Sequence, residues 1–231
     1  MSELIPFSLL FLAGGHGLRM GSAVPKQYLL LQDKPIALHS FEIFLQLSEM
    51  QEVIVVCEPA YQSIFQASAD DLSVPIRFAT PGQRRQDSVF NGMQQLTGNP
   101  LVCIHDAARP LINHDIVRQV VYTANSWEAA VAGVRVKSTI KICDGAQVIV
   151  ETPARESLWE MQTPQVIRLR LLKEGFDYVN KQGMTVTDDV SLVEVLGKPV
   201  KVVEGSYTNV KVTTPEDLTI VKQLLSHHVL L

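Results

Sequence analysis

Short, unbroken apolar runs alternating with helix-patterned segments constrain this chain more than any other feature. Phe7–Ala13 (FSLLFLA), Val53–Cys57, Leu101–His105 and Ala129–Val136 carry small or apolar side chains at nearly every position. A strand with one wet face would alternate, so these runs predict strands covered on both faces. Helical patterns lie between them. One opens at Pro35, placed in the first turn, and sets Ile36, Leu38, Phe41, Phe44 and Leu45 on one side. A second runs from about Asp87 to Gln95, with Asp87 or Ser88 as cap, and a third from about His114 to Ala124 after Asn113 as cap. The alternation predicts an α/β fold with a mostly parallel sheet flanked by helices. In such sheets ligands bind beyond the carboxyl ends of the strands. The loops to inspect are those after Ala13, Cys57, Ala79 and His105.

The segment of about 137–155 departs from this rhythm. Thr139–Cys143 and Val148–Glu151 are short and β-like, joined by the turn-forming Asp144-Gly145-Ala146-Gln147. A lone two-stranded arm is marginal in water, so Ile140, Ile142, Val148 and Val150 are expected to bury against something. A second copy of the chain is the economical partner. Helices near Arg168–Lys181 and Asp188–Leu196 and a strand at Lys198–Val203 follow. The last helix starts at Thr214-Pro215-Glu216-Asp217, with a hydroxyl cap, Pro in the first turn and two acids at the positive end of the dipole. The reading is a single domain over 1–231 with a protruding β-arm.

Charge narrows the function. With 20 Lys plus Arg against 24 Asp plus Glu, the net charge is −4. A bulk nucleic-acid binder normally carries a basic surplus, so no nucleic-acid partner is expected. No apolar run reaches the roughly 18 to 20 residues that span a bilayer. Phe7–Ala13 is preceded by Glu3 and no basic residue, and reads as a buried first strand rather than a secretory leader. Cys57, Cys103 and Cys143 are odd in number and lack metal-ligand spacing, which points to a reducing cytoplasm.

Three segments carry chemistry. Leu12–Lys26, LAGGHGLRMGSAVPK, leaves the first strand with Gly14, Gly15 and Gly17, then presents Arg19 and Lys26. Glycine loops let backbone N–H groups approach phosphates closely. The Gly-Lys-Ser/Thr of a P-loop is absent, and Met20 stands where a dinucleotide fingerprint needs its third glycine. Two cations on such a loop suit a nucleoside triphosphate; a plain turn with two solvated cations is the competing reading. Ile104–Pro110, IHDAARP, places Asp106 where a strand opens into a loop, fit for a metal ion or a ribose hydroxyl, with Arg109 nearby for a phosphate. The alternative makes Asp106 a turn residue and Arg109 its surface partner. Thr80–Ser88, TPGQRRQDS, offers Gly82, Ser88, Arg84 and Arg85, a weaker signal that a capped loop also explains. Arg155, Thr187-Asp188-Asp189 and Asn209-Val210-Lys211 are unremarkable alone, and the histidines, including His39, His105, His227 and His228, form no triad or metal pattern.

Many cations without an obvious general base fit a nucleophile that is already an anion. A phosphate monoester, with a second pKa of about 6, needs no deprotonation at pH 7. Positioning and charge neutralisation then carry the rate.

Together, AGGHGLRM…PKQY, GQRRQDSV, HDAARP, TPARESLWEMQTPQ, TDDVS and VEGSYTNVKVTTPEDL resemble, in order from Leu9 to about Leu224, the 2-C-methyl-D-erythritol 4-phosphate cytidylyltransferases of the non-mevalonate isoprenoid pathway. The resemblance implies a Rossmann-like nucleotidyltransferase fold, a homodimer locked by exchanged arms, and a Mg2+-dependent attack of the substrate phosphate on the α-phosphorus of CTP. It implies triphosphate binding by Gly14, Gly15 and Gly17, and transition-state stabilisation by Arg19 and Lys26. Lys211 matches a cation on the reacting phosphates, and Ala13, Gly82 and Ser88 match the cytosine-reading positions. Asp106 matches a carboxylate near ribose, metal and substrate hydroxyls; Arg109 and Thr187 match substrate contacts; Thr139 and Arg155 match arm residues that reach the neighbouring subunit's site.

The chain departs from the family in Gly14, where many members have a second alanine, and in Pro81-Gly82-Gln83, where two glycines and an acid are usual. A contact by that acid does not carry over. The Leu-Ala-Gly-Gly start also occurs in the sister D-ribitol-5-phosphate cytidylyltransferases, but Ala108 in DAARP and the RESLWEMQTPQ stretch lean to the methylerythritol side. A non-catalytic nucleotide-binding regulator is a third reading. Arg19, Lys26, Asp106 and Lys211 argue against it, because mere binding needs no transition-state cations.

Overall fold

The computed structural model describes residues 4–15, 24–69, 74–98 and 100–228. Strand β1 (Phe7–Leu12) is followed by a 3-10 turn at Lys26–Tyr28 and a two-residue ladder of β2 (Leu30–Leu31) and β3 (Lys34–Pro35). Then come α1 (Ile36–Leu45), β4 (Met50–Val56), α2 (Gln62–Ala67), β5 (Ile76–Ala79), α3 (Arg85–Met93), β6 (Leu101–Asp106), α4 (His114–Trp127) and β7 (Ala129–Arg135). The arm holds β8 (Ile142–Cys143) and β9 (Ile149–Glu151); β10 (Trp159–Arg168), α5 (Leu169–Gln182), α6 (Ser191–Glu194), β11 (Lys201–Glu204) and α7 (Pro215–His228) complete the chain.

The main sheet has the order β11-β7-β10-β6-β1-β4-β5. The pairs β1/β4, β1/β6, β4/β5 and β11/β7 are parallel, while β10 runs antiparallel to both β6 and β7. The continuous apolar runs arise because successive side chains point to opposite faces, and each face is covered. Phe7, Leu9 and Phe11 of β1 join one core with Phe41, Phe44, Phe65, Val117 and Val120. Leu10 points the other way, to a core with Val89, Met93, Leu171 and Phe176. Thus α1, α2 and α4 cover one face, and α3 and α5 the other.

Register sets the site. Leu12 pairs with both Val56 and Asp106, and Val56 with Ala79. The carboxyl ends of four adjacent strands therefore finish in one row, with β1 at the position where the strand order reverses. The expected parallel, helix-flanked sheet is the one observed.

Several local expectations are corrected. Pro35 precedes α1 in extended conformation (ψ 135°) instead of sitting in its first turn. Arg84, not Asp87 or Ser88, caps α3; Asp87 lies in the first turn and its carboxylate accepts the Arg84 N–H at 3.0 Å. The helix expected over Asp188–Leu196 shrinks to Ser191–Glu194, because the preceding acids are engaged in tertiary contacts, Asp188 with Gln165 and Asp189 with Arg85. The arm ladder covers Ile142–Cys143 and Ile149–Glu151 only, closed by Asp144 Oδ1 accepting from the Ala146 and Val148 N–H groups. Its apolar side chains Ile140, Ile142, Val148 and Val150 are between 40% and 60% exposed, so the single chain leaves them uncovered. Strand β10 is an addition: sequence patterning did not reveal it.

Candidate active site

The glycine segment begins where β1 ends. The Ala13 N–H donates to Val56 O (2.9 Å), continuing the sheet by one residue. The Ala13 carbonyl accepts from both Gln27 Nε2 and the Tyr28 hydroxyl, each at 2.8 Å, and Gly15 O accepts from Gln27 Nε2 at 3.1 Å. These bonds pin the two ends of the loop together and fix the turn that begins at Lys26. Gly14 is required by space: a Cβ there would lie 2.5 Å from Pro81 Cγ. Gly15, at φ +98°, requires glycine by conformation. Gly17 and Arg19 lie outside the described residues.

Beside this turn, the Gly82 N–H donates to Ser88 Oγ at 3.0 Å. A Cβ on Gly82 would meet Asp87 Cβ at 2.3 Å, so the loop packs directly on the first turn of α3. The structure thus brings Gly82 and Ser88 together, opposite Gly14 across Pro81.

The centre of the site is an ionic cluster. Asp106 Oδ1 accepts from Arg85 Nε (3.0 Å) and Nη2 (2.9 Å), and Oδ2 lies 2.6 Å from Lys211 Nζ. The other side of Arg85 meets Asp189, with Nη1–Oδ1 at 2.7 Å and Nη2–Oδ2 at 2.8 Å. Burial opposes ionisation of Asp106, but Arg85 and Lys211 outweigh it and hold the carboxyl well below the usual range. Asp189, with a share of Arg85 alone and Asp106 close by, is pushed above the usual range by burial. Lys211 is placed by the Val212 N–H, which donates to Ala108 O at 2.8 Å.

Behind the cluster, β10 supplies the floor. Thr163 Oγ1 accepts from the Asp106 N–H and contacts His105 Nδ1, both at 3.1 Å. His105 Nε2 meets Arg109 O at 3.2 Å. A neutral imidazole protonated on Nε2 satisfies all three groups, and burial pushes the ring down to about 4. Arg109 is not the surface partner of Asp106: its Nη1 donates to Asn209 O at 2.7 Å. Gln165 Oε1 accepts the N–H groups of Asp189 and Val190, both at 2.9 Å, anchoring the segment that carries Thr187. Thr187 itself is exposed.

A cleft of about 970 Å³ joins these parts, lined among others by Gly14, Lys26, Gly82, Ser88, Asp106 and Lys211. Cations at its floor and a glycine turn at its rim suit a polyanionic ligand. Thr139 and Arg155 do not line it; they stay with the arm, where Arg155 Nη1 donates to Lys137 O at 3.2 Å. Among the described residues no group of three or more His, Cys, Asp or Glu could cage a metal ion.

Sequence reasoning undervalued Arg85 and Asp189 and missed Gln27, Tyr28, Thr163 and Gln165. PKQY and TPQ contained them as motif text, but nothing in their spacing announced contacts made across the sheet.

A family model described as IspD, 2-C-methyl-D-erythritol 4-phosphate cytidylyltransferase, matches residues 7–227. The chain is 52% identical over 220 residues to the chloroplastic 2-C-methyl-D-erythritol 4-phosphate cytidylyltransferase of Oryza sativa subsp. japonica, covering 95% of this chain and 74% of that protein. It is 41% identical to the enzyme of the same name from Chlamydia pneumoniae, over 96% of this chain and 100% of that one. Among solved structures, 4-diphosphocytidyl-2C-methyl-D-erythritol synthase from Anaerococcus prevotii superposes with a TM-score of 0.85 at 25% identity, covering 97% of this chain and 100% of that one. The 2-C-methyl-D-erythritol 4-phosphate cytidylyltransferase from Thermus thermophilus gives 0.77 at 30% identity, covering 95% and 98%.

Proposed function

This chain belongs to the 2-C-methyl-D-erythritol 4-phosphate cytidylyltransferase family, and from that premise we propose how its cleft performs the reaction. The enzyme transfers CMP from CTP to 2-C-methyl-D-erythritol 4-phosphate, giving 4-diphosphocytidyl-2-C-methyl-D-erythritol and pyrophosphate. An oxygen of the substrate phosphate, already anionic at pH 7, forms the new bond to the CTP α-phosphorus as the bond to pyrophosphate breaks in line. No proton has to be removed, in keeping with a cleft lined by Lys26, Arg85 and Lys211.

The observation that carries this reading is the Lys211–Asp106–Arg85 cluster beside a tightly packed glycine turn, at the row of strand ends. In it, Gly14, Gly15 and Gly17 receive the triphosphate, and Ala13, Gly82 and Ser88 read the cytosine edge. Arg19, Lys26 and Lys211 stabilise the charge that develops at the α-phosphorus. Asp106 binds ribose or acceptor hydroxyls, with Arg109 and Thr187 on the acceptor side.

Mg2+ fits as a phosphate-borne ion, since Mg2+ keeps several waters and takes one or two protein carboxylates. Asp106 lines the cleft and is the carboxylate that would hold it, sharing its oxygens with Arg85 and Lys211, and the ion would supply neutralisation of the triphosphate.

The whole chain acts as one nucleotidyltransferase domain, with the arm at about 137–155 inserted for dimerisation. The exposed aliphatic side chains of the arm support a homodimer in which Thr139 and Arg155 complete the neighbour's site. The buried free thiols of Cys57 and Cys103 suit a reducing cytoplasm, and no described helix is long and apolar enough to cross a membrane.

The test is pyrophosphate release with CTP and Mg2+, run in parallel on methylerythritol 4-phosphate and ribitol 5-phosphate. Turnover on the first alone is expected. Preference for the second would overturn the acceptor assignment.

A further inference from the structure

We propose that Arg85 is the positioning residue that locks the nucleotide side and the acceptor side of the cleft into one geometry. The inference rests on the assignment of Asp106 and Thr187 as ligand contacts made above. Arg85 is the first residue of α3, directly after the loop in which Gly82 donates to Ser88. Its guanidinium then reaches across the cleft floor. Nε and Nη2 hold Asp106 Oδ1, while Nη1 and Nη2 hold the two oxygens of Asp189. All three nitrogens are used, on two carboxylates, one at the end of β6 and one in the segment before α6.

The pattern depends on a planar fork. An ammonium at the same place could neutralise one carboxylate at a time but could not fix the planes of both. Because Arg85 occupies Oδ1 of Asp106, Oδ2 is the oxygen presented to Lys211. Arg85 thereby decides which oxygen Lys211 shares and where its ammonium waits for phosphate. On the other side, Asp189 is held by Arg85 through its side chain and by Gln165 through its backbone, so the segment carrying Thr187 is tied at both. Without the guanidinium, two nearly buried carboxylates would share a site with Lys211 alone, and one loop would have to move.

A purely structural ion pair would be sealed. Arg85 is not: its side chain is 31% exposed and lines the cleft. It belongs to the cleft wall and acts on the ligands through Asp106 and Asp189.

The experiment is steady-state kinetics on Arg85→Lys, Asp189→Asn and the double variant, with KM for each substrate, kcat and thermal midpoints. Both single changes are conservative enough to keep the fold measurable. For Arg85→Lys the expected result is a rise of about tenfold or more in the acceptor KM together with a lower kcat, since displacement of a reacting group by about an ångström costs up to about a hundredfold. The CTP KM should move less, because Gly82 and Ser88 keep their own bond. Adding Asp189→Asn to Arg85→Lys should cost less than about twofold more, as both break one bridge. Unchanged KM values with activity tracking the folded fraction, or fully additive losses, would overturn the proposal. Thr187→Ala separates this from the site assignment. An unchanged acceptor KM in that variant would remove the acceptor side of the cleft as drawn, and the proposal with it. A raised KM there beside an additive Arg85–Asp189 cycle would overturn Arg85 alone.

Discussion

At the scale of residues, the site is held by groups whose charge is fixed by their neighbours. Lys26 begins the turn that Gln27 and Tyr28 fasten to Ala13 and Gly15, so its ammonium is presented by a braced backbone. Lys26→Ala should therefore lower turnover by about a hundredfold or more while CTP affinity falls much less, the signature of a group that acts on the transition state. Equal losses in single-turnover rate and CTP binding would assign Lys26 to ground-state binding. His105 gives a pH prediction. Its ring, ordinarily near 6.5, is pushed down to about 4 by burial. Between those values the unfolded chain binds the proton and the folded one does not, so stability falls as pH drops through the window. The loss approaches about 3 kcal/mol, read as a shift in urea midpoint from pH 7 to pH 4. His105→Gln, neutral throughout, should flatten that slope. In sequence, His105 was visible only as the tail of an apolar strand; its satisfied partners, Thr163 and Arg109, come from elsewhere in the fold or from the turn that follows.

At the scale of elements, α3 shows how a cap becomes part of a binding site. The Asp87 carboxylate accepts the Arg84 N–H and pairs with the Arg84 guanidinium, and its Cβ is what Gly82 packs against. Asp87→Ala should destabilise the protein by about 1 kcal/mol, as loss of a capping contact does, and also raise the CTP KM, because Arg84, two residues after Gly82, loses the carboxylate that holds its N–H and guanidinium. A denaturation curve and a CTP titration on the same variant check both. Strands β1, β4, β6 and β7 could be read from sequence because burial on both faces writes itself as an apolar run. Strand β10 could not. Its first half, Trp159–Pro164, is polar-rich and contains a proline, and its neighbours β6 and β7 are supplied from far earlier in the chain. The helix expected over Asp188–Leu196 failed for a related reason: local helix pattern lost to Arg85 and Gln165, which hold that backbone open. The glycine turn and Asp106 were readable as motifs, whereas Lys211, unremarkable alone, entered only through the family resemblance. Arg85 was not, since two arginines after a glycine also describe an ordinary polar loop.

At the scale of the whole molecule, the arm leaves aliphatic side chains in water that one chain does not cover. If two copies exchange arms, each site is built from both chains. Mixing Arg19→Ala with Arg155→Ala subunits should then restore activity that neither variant shows alone, because one of the two sites in a mixed dimer keeps both residues. Absence of recovery in verified mixed dimers would argue for self-contained sites. The position of β10 has a further consequence, for synthesis. The strand fills the gap between β6 and β7, yet it is made after both. While a ribosome is still translating the arm, β6 has an open edge of backbone N–H and C=O groups at what will become the middle of the sheet. An unpaired apolar edge of this kind is where one nascent chain can pair with another. Emergence of residues 159–168 closes it. Pausing translation before residues 159–168 have left the ribosome should lower soluble yield, and pausing it after they have emerged should not.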